Sequence, residues 1–204
     1  MNTCSEREVE ILLKIAKCLY DNSFDHGLPH VERVYKWAEK IVESESIPIN
    51  MSALKLVVYL HDIGRFVGEP HAYYSAVVAD EMLKEALCSS AFIEEVTTAI
   101  LAHSFSYFRK LERRAVNELG KVLSDADKLD ALGVVGFLRV FIYGERHGRT
   151  LRESIEHFYD KILKLHELMH YEYSKKVAQV LTERVKILLK MLEDEVGSLN
   201  EKTY

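Results

Sequence analysis

The 204-residue chain has few residues that break helices: proline occurs three times and glycine nine times. All three prolines, Pro29, Pro48 and Pro70, lie in the first third, beside turn formers in DHGLP, ESESIPIN and GEPH. Strand signals are missing too, because no run alternates apolar and polar residues over more than a few positions. Three cysteines, Cys4, Cys18 and Cys88, form an odd set without CxxC spacing. That argues against a disulfide framework and for a reducing cytosol. No stretch approaches the ~20 apolar residues that span a bilayer, and the first residues carry no signal-peptide pattern. The expected location is cytoplasmic, without a membrane partner. A basic surplus is also absent: 32 acidic residues outnumber 27 basic ones, for a net charge of −5. Stable binding to a nucleic-acid backbone needs a basic face and is not expected. A small phosphorylated substrate needs only a few local cations.

What is present is an ordinary globular balance, 48% hydrophobic and 29% charged residues. The length suits one domain, or one domain carrying a helical extension. Apolar residues recur at helical spacing, which predicts helices over 6–20, 29–45, 51–63, 71–87, 90–103 and 113–130. Asn50 and Ser52 are suited to cap the third, and Ser89 or Ser90 the fifth. Residues 151–195 are rich in Leu, Lys and Glu without Gly or Pro, which predicts one or two long amphipathic helices. The stretch GVVGFLRVFIYGERHGRT (133–150), with four glycines, is expected to be a joint. It would divide a helical core, 1–133, from a C-terminal extension, 134–204, packed on it as one structural unit. The last residues, SLNEKTY, read as a frayed tail.

Polar residues that interrupt buried stripes carry the functional signal. His30, Val34, Trp37 and Ile41 share one helix face; Leu54, Val58 and His61 share another; Phe92, Val96, Ile100 and His103 a third. Any one of these histidines alone is more simply a satisfied core residue. Several of them aimed inward leave many ring nitrogens needing partners, and a bound metal satisfies them together. Asp62 adds an anionic oxygen beside His61. Neighbours on one helix diverge by ~100°, so both reach one ion only if it sits at the helix edge.

The series HVERV (30–34), LHDIGR (60–65) and SDADKLDALG (124–133) resembles the HD-domain metal-dependent phosphohydrolases. In that family a His, a His-Asp pair and a distant Asp surround a divalent metal. Segments 158–169 and 178–195 also look like the C-terminal helices of a bacterial and archaeal subgroup with nucleotide-hydrolysing members. The resemblance implies an all-α HD-domain bundle with a C-terminal helical extension, and His30, His61, Asp62 and Asp127 as metal ligands. Periodicity alone does not choose between Asp125 and Asp127; the Ala-Asp-Lys-Leu string, by resemblance, selects Asp127. Asp125 and Asp130 would then orient ligand histidines or waters. HAYYSAVVADEML (71–83) and LAHSFS (101–106) are similar to segments that supply further histidines in two-metal members. His71 and His103 are therefore candidates for a second ion or for the substrate, with one ion expected rather than two.

Mixed imidazole and carboxylate ligands suit Mn, Fe, Co, Ni or Zn better than Mg or Ca. The chemistry implied is hydrolysis of a phosphate ester or anhydride of a small nucleotide by metal-activated water. Asp62 is placed to take the water's proton, Arg65 and Lys128 to meet phosphate oxygens, and Glu69 to carry a proton. Arg33, and Arg139, Arg146, His147, Arg149 and Arg152 around the glycine stretch, are further cations, each with the plainer reading of a solvated charge. Tyr73, Tyr74, Phe105, Tyr107 and Phe108 could stack on a base or simply fill the core. The alternatives are a phosphodiesterase on cyclic or oligonucleotides, a non-catalytic nucleotide-sensing module, and a helical scaffold. A homodimer through the long C-terminal helices is a modest expectation.

Overall fold

A computed structural model describes residues 4–103 and 117–199. Phe105, Tyr107, Phe108, the part of LAHSFS after His103, the start of the 113–130 helix and nearly all of the tail lie outside the described residues. Those that are described form α-helices and two 3-10 segments, without strands, so the fold is all-α. The helices are α1 (Glu6–Leu19), α2 (Leu28–Glu45), α3 (Met51–Leu60), α4 (His71–Glu85), α5 (Ser90–His103), α6 (Glu118–Asp130), α7 (Gly133–Arg146), α8 (Leu151–Asp160) and α9 (Glu172–Leu199). The 3-10 segments are Ile63–Phe66 and Ile162–Leu168. No helix among them is long and apolar enough to cross a membrane.

The chain divides into two compact units, Met1–Asp127 and Lys128–Tyr204. In the first unit α3 is the central element. Leu54, Leu56, Val57, Val58 and Leu60 have no exposed surface, so past its first turn this helix is covered on most sides, with Lys55 its one polar residue there. Asn50 caps it, its Oδ1 accepting from the backbone N–H groups of Ser52 and Ala53. Pro29 sits in the first turn of α2, where its missing N–H costs nothing. The Ser89 hydroxyl accepts from the Phe92 N–H at the start of α5.

Gly64 explains the close packing between the Ile63–Phe66 turn and α4. A Cβ there would lie 2.2 Å from the Ser75 nitrogen and 2.5 Å from the His71 carbonyl oxygen, both backbone atoms. Its own N–H donates to the buried Ser75 hydroxyl at 2.8 Å.

The second unit corrects one expectation. Residues 133–146 are not a joint but the helix α7. Two of its glycines serve close packing: a Cβ on Gly136 would strike the Ala131 carbonyl and one on Gly144 the Ser154 hydroxyl. Only Gly133 and Gly148, with φ of 65° and 68°, are used for turning. The 151–195 stretch is broken as well, into α8, the 3-10 segment and α9. Phe137, Phe141 and Phe158 form a ring cluster with centroids 5.0 to 5.6 Å apart. Ser174, Ala178, Thr182, Val185 and Leu189 make the buried face of α9.

A second correction concerns the cysteines. Cys4 and Cys88, 84 residues apart in sequence, are joined by a disulfide, and Cys18 is free and exposed. Spacing rules detect short-range pairs. This pair meets only because the chain ahead of α1 returns to the link between α4 and α5.

Candidate metal centre

His61 ends up beside Asp62 because α3 stops between them and the next turn. His61 keeps helical geometry (φ −63°, ψ −32°), whereas Asp62 has φ −112° and ψ 2°, in the sparsely used bridge region. A continued α-helix would hold the two side chains ~100° apart. The break brings His61 Nε2 within 3.7 Å of Asp62 Oδ2.

Four imidazoles surround that carboxylate. Asp62 Oδ2 faces His30 Nε2 at 3.8 Å and His61 Nε2 at 3.7 Å. Oδ1 faces His71 Nε2 at 3.6 Å and His103 Nε2 at 3.9 Å. Asp127 Oδ1 approaches His30 Nε2 to 3.5 Å from α6. His30, His61, Asp62 and His103 are buried, His71 nearly so, and Asp127 is partly open to solvent. Asp125 is fully buried.

These separations are too long for hydrogen bonds. They match donor atoms sharing an ion: at about 2.1 Å from the metal, two ligands lie about 3.0 to 4.2 Å apart depending on their angle. The polar accounting agrees. His61 Nε2, His103 Nε2 and Asp62 Oδ1 are buried without a hydrogen-bond partner, an arrangement that costs free energy unless something else binds them. Two triads, His30–His61–Asp62 and Asp62–His71–His103, each bring three ligand atoms within 4.8 Å of one another. The donor set therefore fits a divalent metal.

The ring orientations follow from helix ends. The last carbonyls of an α-helix lack intrahelical donors. His61 Nδ1 lies 2.6 Å from the Val58 carbonyl and His103 Nδ1 2.5 Å from that of Ile100. Each ring thus keeps its proton on Nδ1 and leaves the Nε2 lone pair pointing into the site. Glu69 does the same for His71, its carboxylate 3.2 Å from Nδ1. Glu69 is exposed and also accepts from the His71 N–H, so in this structure it orients His71.

Arg65 Nε donates to Asp62 Oδ2 at 2.6 Å. Burial opposes charge on Asp62, but Arg65, then the histidines, outweigh it and hold its carboxyl well below the usual range. Burial, then His61 and His71, push His103 down to about 3. His103 is therefore neutral and able to donate its lone pair at neutral pH.

That depression has a stability consequence. Between pH 6.5, the ordinary histidine value, and about 3, the unfolded chain binds a proton at residue 103 that the folded chain refuses. With more protons bound in the unfolded state, stability rises with pH. The metal-free protein should lose stability as pH drops from 7 toward 4, and His103→Gln should flatten that slope. Melting temperatures across this range check it; an unchanged slope would assign the effect to other groups. Asp62, with its depressed value, adds loss of the same sign at lower pH.

Other expected cations are occupied elsewhere. Arg33 donates to the Phe24 carbonyl and covers the Phe24 ring. Arg139 forms a buried pair with Asp130 at 2.8 Å; Arg149 lies over Tyr143, and Arg152 pairs with Glu156. Lys128 is buried, one residue beyond Asp127 on α6. Tyr73 is exposed and packs edge-on against Tyr74. Sequence reasoning missed Tyr20, Ser75 and the Asp25–His26 pair, whose His26 ring lies 5.9 Å from His30. Only His26, four residues before His30, left a readable signal.

The HD domain family matches residues 27–132, about half of the chain and every residue of the two triads. The chain belongs to the HD domain family. Across almost its whole length this HD protein is also similar to Bacillus subtilis YpgQ, with 24% identity over 193 residues covering 93% of both chains. A crystal structure of YpgQ in complex with ADP superposes with a TM-score of 0.73, 21% identity, and coverage of 93% and 95%. A Lactobacillus plantarum protein superposes at TM-score 0.81 with 22% identity, covering 96% of this chain and 100% of that one. An HD-superfamily hydrolase from Bacillus thuringiensis shares 26% identity at TM-score 0.68, over 94% and 98%. The HD domain is a hydrolase fold built around a divalent-metal site, and this chain has a His/Asp group able to hold one.

Proposed function

We propose that this HD protein is a metal-dependent phosphohydrolase that cleaves a phosphate ester or anhydride bond of a small nucleotide. The observation that carries the reading is the set of buried, partnerless donor atoms, His61 Nε2, His103 Nε2 and Asp62 Oδ1. The ADP complex of YpgQ supports a nucleotide as the substrate class.

His30, His61, Asp62 and Asp127 would hold the ion, a transition metal by their mixed nitrogen and oxygen chemistry. Bound there, it would supply Lewis acidity and lower the pKa of a coordinated water. Asp62 stays ionised through its contact with Arg65, so Oδ1 can accept a proton from an attacking water. Arg65, partly exposed, can donate its remaining N–H groups to phosphate oxygens. Lys128 offers a second positive charge. His71 and His103, on the far side of Asp62, would take a second ion through their Nε2 lone pairs; binding a phosphate oxygen there would need a proton on Nε2. Asp125, two residues before Asp127 on α6, would support the ligands from behind, whereas Asp130 is engaged by Arg139.

Metal removal and return test this. Stripped protein given Mn²⁺, Co²⁺, Ni²⁺ or Zn²⁺ at 100-fold above Kd should gain about 2.7 kcal/mol. That corresponds to a rise of about 5 to 10 °C in Tm for a chain of this size. Hydrolysis of nucleoside mono-, di- or triphosphates should appear only with metal. No retained metal and no thermal shift would overturn the metal reading; cleavage of cyclic nucleotides alone would replace the substrate class.

A further inference from the structure

Tyr20 lies outside the matched family region, ten residues before His30 and just past the end of α1. Its ring is nearly buried, and its hydroxyl donates to the Tyr59 carbonyl at 3.1 Å. The same hydroxyl lies close to Asp62. Burial, then the nearby Asp62 charge, hold its pKa well above the usual phenol value, so it is a neutral donor at all working pH.

The location of this bond is what matters. Tyr59 is the next-to-last residue of α3, and Asp62 is where the helix path is abandoned. The Val58 carbonyl is taken by the His61 ring and the Tyr59 carbonyl receives the Tyr20 hydroxyl. Side chains thus satisfy backbone groups at the point where α3 gives way to the 3-10 turn. The phenol ring also packs on Phe66, at the far end of that turn, with centroids 6.4 Å apart. Tyr20 therefore touches the chain on both sides of Asp62, at Tyr59 and at Phe66.

We infer that Tyr20 is a positioning residue of the metal centre: its hydroxyl holds the α3 break that lets His61 and Asp62 face one ion. The inference rests on the metal reading above. The test is Tyr20→Phe, which keeps the ring against Phe66 and removes only the hydroxyl. Mn²⁺ affinity is measured by calorimetry well below the variant's own Tm, and the visible spectrum of the Co²⁺ form is recorded. Supporting contacts of this kind typically change metal affinity 10- to 100-fold, so Kd should weaken by roughly tenfold and the Co²⁺ bands should shift. Tyr35→Phe, which removes a half-exposed phenol packed on Tyr59 from the opposite chain segment, should leave both unchanged.

A lower Tm with wild-type Kd and spectrum would make Tyr20 merely structural and overturn the inference. So would a Tyr20→Phe chain with no folded state, since global stability would then be its role. A wild-type chain that binds no Mn²⁺ overturns the metal reading as well, which separates the two failures.

Discussion

Asp62→Asn should abolish metal-dependent hydrolysis, lowering it by roughly 10³-fold or more, in the range lost when a proton acceptor or a key charge is removed. The size follows from how many partners share this carboxylate. Oδ2 accepts from Arg65 and faces His30 and His61; Oδ1 faces His71 and His103. Asparagine has the same shape, but turns one of those oxygens into a donor. Beside the Arg65 guanidinium the amide NH₂ is repelled; beside His71 and His103 it would donate to the Nε2 lone pairs that a metal needs, and it can bind no metal itself. The substitution also strands Arg65. Breaking a buried pair costs about 3–5 kcal/mol, but Arg65 reaches solvent, so a loss below that range is expected. The protein should therefore fold, bind metal poorly and turn over little. Steady-state rates with saturating Mn²⁺, beside a metal titration, check both parts. Activity within tenfold of wild type would remove Asp62 from the chemistry.

The second large effect is structural. Gly64→Ala puts a methyl group within 2.2 to 2.6 Å of three backbone atoms of α4, those of Ser75, His71 and Tyr74. Backbone cannot yield as a side-chain tip can, so α4 must shift away. Overpacking of this kind costs about 3 kcal/mol or more, or a fall of about 10 °C in Tm for a chain of this size. His71 is the first residue of α4 and would move with it, while the Ser75–Gly64 hydrogen bond would stretch. Thermal melts of the metal-free variant test the first effect. A variant melting within 2 °C of wild type would show that the contact is looser than its geometry.

Much of the site was legible before any coordinates. His30, His61 and His103 stood out because each continued an apolar stripe, and each proves buried where such a stripe leads. Helical periodicity also located α1, α2, α4 and α5 to within two residues. Asp127 was different: Asp125 has an equally good claim on periodicity, and only the resemblance preferred Asp127. The end of α3 was unreadable, since the apolar spacing runs on through Leu60 to Ile63 and nothing local announces a stop at Leu60. The stop depends on donors from elsewhere, above all Tyr20, and long-range partners leave no periodic trace. The glycines of 133–150 misled for a related reason. Glycine marks a turn or a close approach alike, and only the neighbours decide which. The Cys4–Cys88 link was invisible to spacing rules for the same reason.

That link changes how the chain is drawn. Closing it makes a covalent macrocycle from residues 4 to 88, with a linear remainder beyond. Tyr20, His30, His61, Asp62 and His71 belong to the macrocycle, while His103 and Asp127 come from the remainder. In the chain-entropy account, closing a loop of this length restricts the unfolded state by about 4.5 kcal/mol, so oxidation state enters the stability of the very segment that carries most of the donors. A backbone cut anywhere inside the circle would leave both fragments tethered, with one ligand set still held on a single molecule.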